Sequence, residues 1–114
     1  MNVKDKSFKF SLLIIDLYKK LIIEKEYVIS KQLLKSGTSV GANIEEANAG
    51  ISKKEFAHKM SIASKEARET LYWLRLLNES KLVELDVSIE LDKINELIKM
   101  LTSIVKTTQE NLNK

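Results

Sequence analysis

Phe56, Met60, Ala63, Ala67, Thr70, Leu74 and Leu77 follow one another at alternating steps of four and three. Only an α-helix keeps such residues on one face, because positions three, four and seven apart stack along its turns. A helix cannot cover its own apolar seam, so the rest of the chain must supply the elements that do. It does so without interruption. Proline, which removes a backbone donor and clashes inside a helix, is absent from all 114 residues. Val87, Leu91, Ile94, Ile98, Leu101 and Val105 repeat the heptad step. Ile29, Leu33, Val40, Ile44 and Ala47 mark one side of another segment. The first segment carries two neighbouring lines, Phe8, Leu12, Ile15 and Ile22 beside Phe10, Ile14, Leu17 and Leu21.

These patterns predict helices over about 7–25, 27–48, 52–79 and 86–110. Gly50 suits a left-handed residue ending the second, and Ser52 with Glu55 forms a capping box that opens the third. Asp86 or Ser88 can cap the fourth. The link Glu24–Glu26 contains no glycine. Connections this short force successive helices antiparallel. The expectation is all-α: one up-down-up-down four-helix bundle over 1–114, with residues from Gln109 onward polar enough to fray.

Composition excludes several classes. With 44% hydrophobic and 31% charged residues, the chain is not intrinsically disordered. Without cysteine it has neither a disulfide framework nor a thiolate metal site. No apolar run approaches the ~18 residues of a membrane span, and no leader pattern opens the chain, so the expected compartment is the cytoplasm. Gly37 and Gly41 fall on one face of the second segment. They imply close helix packing or a break near Gly37. A phosphate cradle lacks the strand–loop–helix setting and the Lys-Ser/Thr pair it needs.

Catalytic constellations are scarce. Glu55-Phe-Ala-His58 spells one Glu-x-x-His element, but a di-iron bundle needs two such elements and two further glutamates. With His58 the single histidine, no Ser/His/Asp arrangement is available. Glu66 and Glu69 have no implied pocket in which to act as an acid–base pair. No enzyme activity, metal or cofactor is expected.

Two surfaces depart from a plain bundle. On the second segment Gln32, Ser39, Asn43 and Glu46 flank the apolar face. On the third, Ile62, Glu66, Glu69, Trp73 and Leu76 run beside the seam. Apolar surface interleaved with carboxylates needs partners, and the expected partner is a second copy, with Asn43, Glu46, Glu66, Glu69 and Trp73 at the interface. The opposite side of the third segment gathers Lys54, Lys65, Arg68 and Arg75 with His58 and Tyr72, and no acid before Glu79. Net charge is only +3, but a one-sign helix face can track phosphates while Tyr72 stacks on a base, and oligomerisation would multiply its field.

Ser39-Val-Gly-Ala-Asn-Ile-Glu-Glu46, Ser52-Lys-Lys-Glu-Phe56 and Ile62-Ala-Ser-Lys-Glu-Ala-Arg-Glu-Thr-Leu-Tyr-Trp-Leu74 resemble the bacterial four-helix-bundle family of 23S rRNA intervening-sequence proteins. That family includes the accessory proteins of diversity-generating retroelements. The resemblance covers nearly the whole chain and is most specific at Asn43-Ile44 with Glu46 and at Glu66 to Glu69. Ala47 stands where many relatives carry glycine, and Glu66 where many carry serine. The resemblance implies an antiparallel bundle assembled as a homopentamer, associated with nucleic acid and without catalytic activity. The expected function is a non-enzymatic oligomer binding RNA or DNA through Lys54, Lys65, Arg68 and Arg75. The alternative is a scaffold for a partner protein.

Overall fold

A computed structural model describes residues 2–114. Four helices, α1 (Val3–Ile23), α2 (Ile29–Asn48), α3 (Lys53–Ser80) and α4 (Ser88–Leu112), pack in sequence order, and α4 returns against α1. The all-α four-helix bundle expected from the apolar spacing is the fold observed. α1 begins at Val3, earlier than the apolar pattern predicts, because the Asn2 side chain accepts the Asp5 N–H at 2.9 Å and so caps the extra turn.

The link between α1 and α2 turns without glycine. Lys25 itself takes the left-handed conformation, with φ 61°, at the ~1–2 kcal/mol cost of a side chain there. The next residue organises the helix that follows. Glu26 Oε2 accepts the N–H groups of Val28 and Ile29 at 2.9 and 3.1 Å, and Oε1 accepts that of Ser30 at 2.6 Å. A buried carboxylate thus satisfies the free donors of α2's first turn from outside the helix.

The other links differ in detail from expectation. Gly50 does not adopt positive φ, and α2 closes instead through the Ala49 N–H on the carbonyls of Glu45 and Glu46. A Cβ on Gly50 would lie 3.1 Å from the Ala47 carbonyl oxygen, a tight contact that glycine avoids. Ser52 Oγ accepts the Glu55 N–H at 3.1 Å, and Glu55 Oε2 reaches back to the Ile51 N–H at 2.9 Å, a capping box displaced by one residue. α3 ends at Lys81, left-handed at φ 56°. Asp86 Oδ1 then accepts the Ser88 N–H at 2.9 Å as α4 begins.

In α3 the predicted seam is buried from Met60 to Leu77, with Phe56 half-buried at its start. Thr70 at its middle is satisfied: its hydroxyl lies 2.9 Å from Ser36 Oγ and 2.8 Å from the Glu66 carbonyl. Of the two lines on α1, Phe10, Ile14, Leu17 and Leu21 form the core, while Phe8 and Leu12 point outward, 60% and 50% exposed. The buried line of α4 is rotated toward Ile94, Leu97 and Leu101, leaving Leu91, Ile98 and Val105 half-buried. α2 runs unbroken through both internal glycines. A Cβ on Gly37 would stand 2.9 Å from both γ-carbons of fully buried Ile14, so the pair serves close packing of α1 on α2.

Candidate nucleic-acid interface

Lys54, Lys65, Arg68 and Arg75 all lie exposed on α3, but they are not equivalent. Arg75 Nε donates to Glu79 Oε2 at 3.1 Å, one turn along the same helix, so its charge is locally compensated. Lys54 sits eleven residues before Lys65, about 16 Å away along the axis. Arg68 lies across the seam to α4, where Nη2 donates to Thr102 Oγ1 at 3.0 Å.

That contact brings in lysines of a second helix. Lys99 and Lys106 lie three residues before and four after Thr102, on the same face of α4, and both are exposed. Among the described residues, Lys65, Arg68, Lys99 and Lys106 have no carboxylate oxygen within 4.0 Å. The result is a two-helix cluster of uncompensated cations centred on Arg68. Sequence reasoning found Lys65 and Arg68 and missed Lys99 and Lys106. Their seven-residue spacing was visible, but not which face of α4 meets α3.

The residues expected at an oligomer interface divide differently. The Asn43 amide donates to the Ser39 carbonyl of its own helix at 2.8 Å, and Glu46 meets Lys59 across α2 and α3 at 3.6 Å. Trp73 is half-buried against the core and donates through Nε1 to Glu69 Oε2 at 3.0 Å. Glu66 alone among them makes no side-chain hydrogen bond or ion pair within the described residues.

Burial, and secondarily the neighbouring Glu69 carboxylate, raise the Glu66 pKa above its ordinary value, with Lys35 opposing. A raised carboxyl pKa favours the protonated form in the fold. Its ionisation therefore weakens stability at neutral pH, and that loss disappears as pH falls through the folded and then the unfolded pKa. Glu66→Gln is expected to raise the melting temperature at pH 7 and to leave it unchanged near pH 3. Equal gains at both values would contradict an electrostatic origin.

Glu55 is engaged in the α3 cap, and His58 is exposed beside it. Among the described residues no three His, Asp or Glu side chains gather as a metal site. Among the described residues no helix is long and apolar enough to cross a membrane.

The arrangement can be set beside known proteins. The family profile described as 23S rRNA-intervening sequence protein matches residues 1–103. The chain belongs to that family. Among solved structures, one is similar over most of the chain. It is a Bacteroides thetaiotaomicron protein described as being of unknown function and from the S23 ribosomal protein family. It shares 46% identity, covering 91% of this chain and 95% of its own, with a TM-score of 0.85. No curated protein matches the chain. The fold and the family expected from the residues are thus those found.

Proposed function

We propose that this family member is a non-catalytic homo-oligomer of the cytoplasm that binds RNA or DNA through the cationic face of α3 and α4. The observation that carries the reading is the uncompensated cluster of Lys65, Arg68, Lys99 and Lys106, extended along α3 by Lys54 and Arg75. Cations without internal partners release counterions when they meet phosphates, and that gain does not depend on base sequence. The resemblance to the intervening-sequence proteins supports five copies. The outward line Phe8 and Leu12, continued by Ile15, supports burial of apolar surface in that assembly, as does unpartnered Glu66 with Asn43, Glu46, Glu69 and Trp73 on the α2–α3 flank.

Native mass by light scattering on nuclease-treated protein tests both parts. Expected is a mass near five chains that rises with added RNA or DNA at low salt and returns to its starting value at high salt. A monomer would contradict the assembly. An oligomer indifferent to nucleic acid would contradict the binding role and favour the second reading, a scaffold whose basic surface recruits an acidic partner protein.

A further inference from the structure

Near the C-terminal end of α3 a shallow cleft of about 180 Å³ opens between Tyr72, Arg75, Leu76, Glu79 and Ser80. Its aromatic wall is held from behind. The Glu69 carboxylate fixes the Trp73 indole, and the Tyr72 ring meets that indole edge-on, with centroids 5.1 Å apart and planes at 72°. An edge-on pair of this kind is favourable in its own right. Tyr72 is nevertheless 54% exposed, so the Trp73 contact leaves much of the ring open to solvent. Across the cleft, Arg75 is held by Glu79 at 3.1 Å, which steadies a planar guanidinium of the type that stacks on π-systems. Tyr72 stands one turn beyond Arg68 on the same face, about 6 Å along the axis, so the cleft adjoins the end of the cationic track.

We infer that this cleft receives a single unpaired nucleobase, stacked on Tyr72, while the adjoining phosphates lie along Arg68 and Lys65. The ligand class is therefore single-stranded nucleic acid. A duplex keeps its base faces covered and leaves Tyr72 unused, whereas a single strand gains the stacking contact on top of the phosphate contacts. The arrangement also gives Glu69 and Trp73 a role within one chain: they set the orientation of the platform and are positioning residues for it. The inference rests on the nucleic-acid reading above and adds the strandedness of the ligand.

The test uses the full-length protein, with Trp73 as its single tryptophan and hence a probe beside the platform. Fluorescein-labelled single-stranded, duplex and base-free (abasic) oligonucleotides of equal length are titrated at low salt, following anisotropy and, with unlabelled strands, Trp73 emission. The expected result is tighter binding of the single strand, with a change in Trp73 emission that neither the duplex nor the base-free strand produces. Tyr72→Ala should weaken single-strand binding about ten-fold or more while leaving duplex binding unchanged and lowering the melting temperature by no more than a few degrees, the cost of the lost Trp73 contact. Tyr72→Phe, which keeps the ring, should bind as the wild type does. If Tyr72→Ala binds single strands as tightly as wild type, or Trp73 responds equally to a base-free strand, the base cleft is overturned and the phosphate track stands. If no oligonucleotide binds at low salt, the nucleic-acid reading and the cleft fall together.

Discussion

Glu26→Ala is expected to lower the free energy of unfolding by about 2–4 kcal/mol. The Glu26 side chain is 9% exposed and accepts the N–H groups of Val28, Ile29 and Ser30. No side chain at the Val28 cap position does this work. Removing the carboxylate leaves the buried Ser30 N–H without its acceptor, at about 1–3 kcal/mol, and leaves the more accessible Val28 and Ile29 donors to solvent at a smaller cost. Partial relaxation of the link keeps the sum below the full total. Glu26→Gln retains one acceptor oxygen and should lose roughly half as much. Urea denaturation with an unchanged m-value measures both. A loss below about 0.5 kcal/mol for the alanine variant would show that the link finds other partners.

The second large effect concerns binding. Arg68→Glu combined with Lys99→Glu should reduce affinity for RNA or DNA at low salt by about 100-fold or more, because each reversal removes a phosphate contact and adds a repulsion. Both side chains are exposed and neither pairs with a carboxylate among the described residues. Only the Arg68–Thr102 hydrogen bond is lost from the fold, so the melting temperature should move by no more than a few degrees. Arg75→Glu should weaken binding less, since Glu79 already offsets that charge. Filter binding or anisotropy measures the series. Equal losses at Arg68 and Arg75 would contradict the distinction drawn between compensated and uncompensated cations.

The legible and the illegible parts of this chain divide along a physical line. α3 was readable because its seam is narrow and its opposite face is charged, which leaves one orientation in the bundle. α1 was not, because Phe8, Leu12 and Ile15 make its outer face as apolar as its inner one, and only the neighbouring helices choose between them. The α4 seam is likewise displaced toward Leu97, with Ile98 and Val105 half-buried at the edge of the core. Residue type alone suggests a left-handed turn at Gly50, yet its φ is not positive, and the glycine instead avoids a tight contact with the Ala47 carbonyl.

Local chemistry between distant residues was the harder case. The capping role of Glu26 lies outside the usual cap position, so no short pattern announces it. Lys99 and Lys106 join the cationic face only because Thr102 meets Arg68 across the α3–α4 seam. Trp73 falls beside the seam on the helix wheel, but its half-burial against the core and its N–H on Glu69 emerge only in the fold. Pattern on one helix was enough for the fold, and contact between helices was needed for the site.

The central claim is that the α3–α4 cations bind phosphates, and the salt dependence of affinity tests it most directly. Binding of a labelled oligonucleotide would be followed from about 50 to 200 mM salt, plotted as log K against log salt concentration. The account predicts a steep negative slope for the wild type and a distinctly shallower one for Arg68→Glu with Lys99→Glu. A flat wild-type slope, or equal slopes for the two proteins, would contradict it.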